Sequence, residues 1–565
     1  MLSIRKIGVL GRTYRHLNRY RQILGVLFKY GFGDLVDRLR IEQYLEIGLQ
    51  VISRKKRDRV ERLTRAVRVR MAFEELGPTF IKLAQVLSAR PDLIPPDLVA
   101  ELARLQDKVA ATGFAALKEI VSTELQKSPE EIFEHIEQTP LASASIAQVH
   151  RAVLKDGEEV AVKIQRPGIR KVIEVDLEIM LHLATLMEHH IEEFSFHRPV
   201  KIVEEFTRTI EKELDFVLEA ENMERFAAQF LMDEHIYVPK TFREFSSSRV
   251  LTMEFIQGVK VSEVDKLDAA GLDRKIIVDR GAELLLRQIF ENGFFHADPH
   301  PGNIFVLPGN VICMLDYGMV GSIVLQTRER FVDLISAVVR RDSSRAVQVL
   351  LRLTEWEEEP DLRRFEREVD DFMGRHLYRS LKNIQIGALL QELLQIAAQY
   401  RLRIPSDTFM MMKALAIIEG VARMLDPDFE MVAKAAPFVE KVRLERFSPK
   451  RISEDAYQMG ADFLIFLQQF PKDALEIFRL IRQRKLTVNL EHQGLANMLA
   501  THDQISNRVS FSIIIAGLIV GSALIVISEI PPLFYGISLI GIIGFLAAAL
   551  MGIWLLVAIL RKGSL

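Results

Sequence analysis

The sequence predicts a mostly helical α+β protein that ends in two apolar helices. Residues 149–154 and 159–163 have the composition of strands, and Lys155-Asp156-Gly157 between them is a turn signal, so they predict a strand pair. The spacing of apolar residues predicts long helices from about residue 168 to 232 and over most of 261–500. Two long uncharged apolar runs near the C-terminus complete the pattern.

Composition limits the partners and the redox chemistry. The chain has 565 residues and a formal net charge of −2, so nothing in its overall charge favours nucleic acid as a partner, and none is expected. Cys313 is the only cysteine, which excludes an intramolecular disulfide, and its apolar neighbours predict a buried packing role. The N-terminus lacks the apolar run and cleavage site of a secretory signal.

The most informative motif reads F-F-H-A-D-P-H-P-G-N-I at residues 294–304, followed by M-L-D-Y-G at 314–318. Protein kinases place an Asp, an Asn and a second Asp in this order at their phosphoryl-transfer site. Mg²⁺ prefers hard oxygen ligands, so Asn303 and Asp316 are the candidate metal ligands. Asp298 is then left to face the nucleophile or the γ-phosphate.

The basic half of such a site lies upstream. Residues 160–164 read V-A-V-K-I and match the kinase strand whose Lys pairs with phosphates, which makes Lys163 the candidate. Together the motifs predict an ATP or ADP site on a two-lobed protein-kinase-like fold. Residues 250–258 resemble the strand and hinge between kinase lobes, where the backbone of Glu254 and Phe255 is expected to bind adenine; the alternative is an ordinary buried strand.

The loop before Lys163 departs from the kinase pattern. Residues 140–150 contain no glycine, although a kinase would carry G-x-G-x-x-G there. Because alanine does not adopt positive φ cheaply, we expect a stiffer loop that approaches the phosphates differently. Its candidate nucleotide-binding residues are Ala142, Ser143, Ala144 and Ser145.

These motifs together resemble the UbiB (AarF) family of atypical kinase-like proteins, closely over about residues 70–330. The segments P-L-A-S-A-S-I-A-Q-V-H, V-A-V-K-I-Q-R-P-G, H-A-D-P-H-P-G-N and L-D-Y-G carry the likeness. The family's K-x-G-Q motif is here K-L-A-Q at 82–85, with Ala84 in place of glycine, and its E-x-D motif is E-L-D at 213–215. The resemblance implies regulatory roles for four residues, Lys82, Gln85, Glu213 and Asp215.

The resemblance also makes Glu219 the candidate partner of Lys163. Asp215 and Glu219 are four residues apart and share a helix face, whereas Glu213 points elsewhere on an ideal helix. Glu213 and Asp215 can therefore reach one lysine only if the helix is irregular or begins there. The Lys82 helix is expected to be a lid that covers the place where a protein substrate would enter.

The expected organisation has four parts. These are a basic helical extension at 1–110, a small lobe at 111–260, a large lobe with a helical extension at 261–500, and a transmembrane hairpin at 505–562. Residues 1–30 hold seven Lys/Arg and no Asp/Glu, and two interpretations remain open: a helix lying on an anionic membrane and a solvated surface helix. A second basic run at 54–59 favours a solvated face over a lipid-binding patch.

The apolar runs at 509–527 and 533–560 are each long enough to cross a hydrocarbon core of about 30 Å. Arg508, Arg561 and Lys562 flank them, and the linker has no Lys or Arg, so the positive-inside rule predicts a cytoplasmic body on the cell (inner) membrane. Small residues predict close packing within the hairpin or in a homodimer: Gly517, Gly521, Gly544, Ala548 and Gly552. The alternative is two core helices of a soluble protein.

The resemblance implies a membrane-anchored ATPase or phosphotransferase that uses Mg²⁺ and supports the biosynthesis of ubiquinone or a related isoprenoid lipid. Membrane lipids, isoprenoid quinone precursors and other quinone-biosynthesis enzymes are its implied partners. Two other functions remain open: a true protein or small-molecule kinase, and a nucleotide-gated lipid-binding scaffold without turnover. A hydroxylase is disfavoured, because the sequence carries no flavin fingerprint and no convincing iron ligand set.

Overall fold

The computed structural model describes residues 9–39, 63–88, 90, 93–105, 111–191, 198–356, 360–377, 385–482, 495–528, 530–534 and 537–562. The chain divides into two compact units, residues 1–453 and residues 454–565. The basic run at 54–59 lies outside the described residues, as do the first eight residues of the basic segment at 1–30.

The first unit begins with short helices that pack on one another. They are α1 (Val9–Lys29), α2 (Gly33–Arg38), α3 (Arg65–Leu76), α4 (Pro78–Ser88) and α5 (Pro96–Leu102). Gly77 separates α3 from α4 with a φ of 95°, a conformation that glycine adopts without strain. The helix α5 begins at Pro96, because proline is favoured at the first position of a helix.

The small lobe is an antiparallel sheet of order β1-β3-β4-β6, with β2 added to β3. Its elements are α6 (Phe114–Leu125), α7 (Pro129–Ile132), β1 (Phe133–Ile136), β2 (Ala142–Ser143), β3 (Ala147–Leu154), β4 (Glu159–Gln165), α8 (Ile169–His190), α9 (Pro199–Glu213) and α10 (Phe216–Gln229). The strand β6 (Val250–Glu254) completes the sheet, beyond β5 (Ile236–Tyr237) and a 3₁₀ turn (Arg243–Phe245). The predicted pair 149–154 and 159–163 falls within β3 and β4, which are antiparallel.

Alternation along β4 decides where Lys163 lies. Val160, Val162 and Ile164 pack into one buried cluster with the residues of α6. Ala161 belongs to the main core instead. Since successive side chains of a strand point to opposite faces, Lys163 shares the face of Ala161.

The large lobe carries the second motif on short strands. Its elements are β7 (Val259–Lys260), α11 (Val264–Ala269), α12 (Arg274–Leu286), a π-helical segment (Arg287–Asn292), β8 (Phe294–His296), β9 (Ile304–Leu307), β10 (Val311–Met314) and β11 (Val320–Ser322). One sheet has the order β5-β10-β9-β7, and β8 pairs with β11. Cys313 lies in β10 and is fully buried, which confirms the predicted packing position.

Helices follow to the end of the first unit, and the last of them, α19, continues into the second unit. They are α13 (Leu325–Val339), α14 (Ser343–Leu353), α15 (Leu362–Leu377), α16 (Ile386–Gln399), α17 (Ser406–Leu425), α18 (Met431–Arg446) and α19 (Pro449–Arg482). The helix α17 packs against α12, α16 and β11. It therefore touches the strand pair that leads into the H-A-D-P motif.

The second unit contains two long apolar helices joined by a small hairpin. They are α20 (Leu495–Ile527), β12 (Leu533–Phe534), β13 (Ile537–Ser538) and α21 (Leu539–Lys562). By length and composition, Ile505–Ile527 and Leu539–Leu556 could each span a membrane, and only 6% and 11% of their hydrophobic windows is buried. The second apolar run is thus not helical from residue 533, because its first residues form the hairpin.

Helix packing in the second unit uses part of the predicted set of small residues: Gly544 lies at the helix contact and Ala548 is buried, and Gly541, which was not predicted, also lies at the contact. A Cβ at Gly541 would clash with Val526 Cγ2, and one at Gly544 would clash with Ser522 Oγ. A Cβ at Gly517, Gly521 or Gly552 would meet nothing within 4 Å. Close approach therefore needs Gly541 and Gly544, while the G-x-x-x-G face of α20 lies away from this contact.

The predicted fold class is confirmed: the protein is mostly helical α+β, with a two-lobed kinase-like body, an N-terminal helical extension and two C-terminal apolar helices. The membrane-surface interpretation of the N-terminal helix needs correction, whereas the surface-helix interpretation agrees with its polar side, where Asn18 and Gln22 are exposed. Tyr20, Ile23, Leu24 and Val26 of α1 are buried in the main core, so the apolar face of this helix faces neither lipid nor solvent.

Candidate functional site

Lys163 and Glu219 meet in the structure. The Lys163 Nζ lies 2.7 Å and 2.8 Å from the two Glu219 carboxylate oxygens, and it stands 5.3 Å from the centre of the Phe216 ring. Glu219 is 4% exposed because it lies on the buried face of α10, with Phe216, Ala220 and Met223. A glutamate is buried to this degree only when it is paired.

The electrostatics of the pair follow from burial and from Asp316. The Lys163 Nζ is also 3.3 Å from Asp316 Oδ1. Burial opposes the charge of Lys163, but the Asp316 and Glu219 carboxylates outweigh it and raise its pKa above the ordinary value. Burial raises the pKa of Glu219 to about 6, although the Lys163 ammonium opposes this shift.

Asp316 is an ionised carboxylate held in an unusual backbone conformation. Its φ is +64°, in the left-handed region that few residues other than glycine adopt and that Asp tolerates better than most. The Lys163 ammonium outweighs burial and lowers the pKa of Asp316 to about 2, helped by the charge of Lys82. With 54% of its side chain exposed, Asp316 remains open to a ligand.

His296 ties the two acidic segments together. The Asp298 N–H lies 3.2 Å from His296 Nδ1, so Nδ1 accepts and Nε2 carries the proton. The Nε2–H then donates to the Asp316 carbonyl at 2.9 Å. Burial lowers the pKa of His296, which keeps the ring neutral in this role.

Asn303 and Asp316 are brought to one end of a strand ladder. Ile304 pairs with Met314 in the β9–β10 ladder, and the Leu315 N–H donates to the Asn303 carbonyl at 2.8 Å. Among the described residues, no group of three His, Cys, Asp or Glu side chains could hold a metal. One carboxylate and one carboxamide still fit Mg²⁺, which commonly takes one or two protein oxygens and completes its shell with phosphates and water.

The loop before β3 is a small hairpin fixed by Arg166. The Arg166 guanidinium donates to the Ala144 carbonyl and the Ser143 hydroxyl at 2.8 Å, and to Thr112 Oγ1 at 3.0 Å. The Ala144 N–H donates to the Ala147 carbonyl at 2.9 Å.

The two serines of this hairpin differ in their hydrogen bonding within the protein. Ser145 is fully buried, and its hydroxyl has no partner among the described residues, whereas Ser143 already binds Arg166. Ala142 lies in β2, opposite Val149. Side-chain contact of Ser145 with a nucleotide therefore requires the hairpin to move, and nucleotide binding by Ala142–Ser145 stays a prediction.

The expected hinge residues need a partial correction. The Glu254 N–H donates to the Lys240 carbonyl at 2.9 Å, and the Phe255 N–H donates to the Glu159 carbonyl at 3.0 Å. Both donors are used in pairing the strand ends, so neither is available to adenine. Adenine binding here stays a prediction that depends on carbonyl groups.

The Lys82 helix lies beside this centre. The Lys82 Nζ is 2.6 Å from Glu213 Oε1, and the two side chains are 13% and 18% exposed. The segment that carries Glu213 and Asp215 is not one continuous helix. The helix α9 ends at Glu213, and Asp215 caps α10 by accepting from the Val217 N–H at 3.1 Å. Gln85 is partly buried on α4, and Ala84 is fully buried.

Sequence reasoning missed two contributors. Arg166 stands in the quoted R-P-G segment, but nothing in the pattern indicated that it reaches back to the loop. Lys413 of α17 lies 3.0 Å from Asp298 Oδ1, and no motif links residues so far apart in the chain.

Comparison with known proteins agrees with this geometry. Residues 104–350 match the ABC1 atypical kinase-like domain, residues 369–430 the UbiB helical domain, and residues 493–561 the ABC1/UbiB kinase-like C-terminal domain. A Cellvibrio japonicus protein named "Probable protein kinase UbiB" is 35% identical over 75% of this chain and 77% of its own.

Two further similar proteins differ in how closely they match this chain. An uncharacterized Clostridium pasteurianum protein from the 5′ region of hydrogenase 1 is 32% identical over 97% of this chain and 99% of its own. The solved complex of Mycobacterium tuberculosis Rv3197 with erythromycin is 22% identical, with a TM-score of 0.45 over 63% of this chain and 90% of that one, which is too low to carry an argument. The family matches and the long alignments establish that this chain belongs to the UbiB (ABC1) family of atypical kinase-like proteins.

Proposed function

We propose that this protein is a membrane-anchored, Mg²⁺-dependent atypical kinase-like ATPase that supports the biosynthesis of ubiquinone or a related isoprenoid lipid. The observation that carries the proposal is the convergence of Lys163 on Glu219 and Asp316. These groups come from β4, α10 and the segment after β10, and the site has the charge pattern of a phosphate-binding site. The names of the relatives, which include probable UbiB kinases, support the same assignment.

Each residue has a defined role in this proposal. Lys163, positioned by Glu219, binds nucleotide phosphates, and Asp316 with Asn303 provides oxygen ligands for the metal. Bound Mg²⁺ supplies charge neutralisation of the phosphates. Asp298 orients the attacking water or hydroxyl group and accepts its proton.

The Lys82 helix favours water or a small acceptor over a protein acceptor. Its ammonium is close enough to lower the pKa of Asp316, so α4 lies near the acidic centre. The apolar helices of the second unit are assigned to the cell (inner) membrane, with the kinase-like body on the cytoplasmic side. Membrane lipids or quinone precursors and other enzymes of quinone biosynthesis are the proposed partners.

The experiment compares wild type with Asp316→Asn. Mg-ATP is expected to raise the melting temperature of wild type and not that of the variant, because removal of the carboxylate leaves phosphate and metal charges uncompensated. Lys163→Ala should lose less of the shift, since the metal contacts remain. Equal stabilisation of wild type and Asp316→Asn would reject the metal assignment.

Cellular and product measurements separate the alternatives. Isoprenoid quinones and their precursors are quantified in a strain lacking the gene and carrying wild type or Asp316→Asn, and only wild type should restore quinone. Binding of Mg-ATP without phosphate release indicates a scaffold, and transfer of labelled phosphate to a defined acceptor indicates a true kinase.

A further inference from the structure

The Asp298 carboxylate is paired with a lysine from outside the kinase-like motifs. The Lys413 Nζ lies 3.0 Å from Asp298 Oδ1, and the side chains are 27% and 34% exposed. This ion pair joins the helical extension to the H-A-D-P motif. Lys163, by contrast, is occupied by Glu219 and Asp316.

The helix α17 holds Lys413 at this place. Its neighbours Met411, Met412, Ala414 and Leu415 are buried, so the backbone at Lys413 is fixed. The helix packs against β11, and β11 pairs with β8, the strand that ends two residues before Asp298. The lysine and the carboxylate therefore come from elements that are packed against each other.

The N-terminal end of α17 is also held in place. Arg90, which follows the Lys82 helix, is 6% exposed and donates to the Ile404 carbonyl at 3.2 Å. Its guanidinium lies 5.2 Å from the centre of the Phe409 ring, one turn before Lys413. The start of α17 is thus held by the N-terminal extension while Lys413 reaches the acidic centre.

Stability alone does not account for this pair. Ion pairs exposed to this degree contribute little to the free energy of unfolding. A carboxylate beside bound phosphates would meet strong like-charge repulsion, however, and a fixed cation keeps it in place. The pair therefore has its main consequence when nucleotide is present.

We propose that Lys413 is a positioning residue of the catalytic centre, supplied by the helical extension, which holds the Asp298 carboxylate in the orientation that accepts the proton of the attacking group. This inference rests on the proposed function. In the step, the attacking water or hydroxyl oxygen forms a bond to the γ-phosphorus and its proton passes to Asp298. The bond from that phosphorus to the β–γ bridging oxygen breaks, and its electron pair leaves with the diphosphate.

The test measures phosphate release by the full-length protein in detergent micelles with Mg-ATP. Lys413→Met is expected to lower kcat about 10- to 100-fold, the scale on which a misplaced group costs rate, with the KM for Mg-ATP within about threefold of wild type. Lys413→Arg, which keeps the cation, should recover much of the rate. In an Asp298→Asn background, Lys413→Met should cause little further loss, because the two residues act as a unit.

Lys434→Met is the matched control. Lys434 belongs to the same helical extension and pairs with Asp279 at 2.7 Å and Glu283 at 2.9 Å, two residues of α12 that belong to none of the motifs. Its removal should leave kcat unchanged.

Three outcomes would overturn the inference. A Lys413→Met protein with the kcat of wild type shows that the lysine positions nothing. Equal losses of kcat and melting temperature in Lys413→Met and Lys434→Met show a structural role only. Wild type without phosphate release or transfer shows that the proposed function itself fails, and the inference fails with it.

Discussion

Glu219 is the residue whose ionisation controls the Lys163 contact. Its pKa of about 6 lies above the ordinary value because the side chain is buried, so acidification from pH 7.5 to 5.5 converts it from mostly ionised to mostly neutral. Its charged neighbours are Lys163, Asp316 and Glu213. A neutral Glu219 no longer balances the charge of the Lys163 ammonium, so it positions Lys163 less firmly.

We therefore expect the affinity for Mg-ATP to fall as pH decreases through about 6, measured by calorimetry at several pH values. Because the folded-state pKa is raised, this group contributes stability below its unfolded pKa and loses it as pH rises through about 6, so lost affinity in acid is not unfolding at this site. Glu219→Gln should bind more weakly and without this pH dependence. An unchanged wild-type affinity at pH 5.5 would contradict the assignment.

Ala144 is the residue that sets the conformation of the loop before Lys163. Ala144→Gly should free the backbone between the Ala147 and Arg166 contacts. We expect a changed ratio of ATP to ADP affinity and more phosphate transfer to the protein itself, measured by calorimetry and by radiolabel.

Arg166→Lys provides an independent check on Ala144→Gly, because lysine cannot make all the guanidinium contacts that Arg166 makes with Ser143 and Thr112. It should shift the nucleotide preference in the same direction. Affinities for both nucleotides that match wild type in both variants would show that the loop is not the determinant.

At the scale of elements, the break between the helices α9 and α10 allows one glutamate from each helix to pair with a different lysine. Glu213 ends α9 and pairs with Lys82, and Glu219 on α10 pairs with Lys163. The helices α4 and α10 are thus linked to the same centre by ion pairs. This arrangement supports the prediction that α4 is a lid.

Lys82→Ala should loosen α4, because it leaves Glu213 partly buried without this charge partner. We expect more self-phosphorylation, measured with radiolabelled phosphate on the purified variant, and lower quinone levels in a complemented strain. Glu213→Gln should act in the same direction.

Lys29→Ala is the matched control for the lid, since Lys29 pairs with Glu75 in the same extension on a more exposed surface. It should change neither quantity. If Lys82→Ala takes up no more label than wild type and restores quinone fully, α4 is a packing element and not a lid.

At the scale of the whole molecule, membrane attachment is expected to reside in the two apolar helices of the second unit. Truncation at about residue 500 should move most of the protein to a detergent-free soluble fraction, because the uncharged runs within these helices are too apolar to expose to water. Little peripheral binding should remain, since the apolar face of α1 is packed in the core. Fractionation by centrifugation measures the shift.

Full-length protein should resist carbonate extraction. Its release by carbonate alone, or a truncated protein that stays with the membranes, would place the anchor elsewhere. A Cβ added at Gly517 or Gly521 of α20 would meet nothing within 4 Å, and a homodimer through these glycines stays a prediction.

The sequence by itself determined the features that local covalent geometry controls. The two-residue period of β4 placed Lys163 opposite Val162, and the spacing of Asp298, Asn303 and Asp316 followed from one loop and one hairpin. The length and composition of the apolar runs predicted two long helices. Such patterns can be recognised in the sequence because the strand and helix periods repeat within a few neighbouring residues.

Only the tertiary structure decided which distant groups meet. The local sequence does not indicate that Lys413 reaches Asp298, that Arg166 holds the loop before β3, or that Gly541 joins the predicted Gly544 in the close helix contact. An apolar face indicates that a helix packs against something, but it does not identify the partner. The sequence of α1 was therefore compatible with membrane binding, and only the structure showed that its apolar face packs in the protein core. Long-range pairs depend on how whole elements dock, and that arrangement is a property of the assembled core.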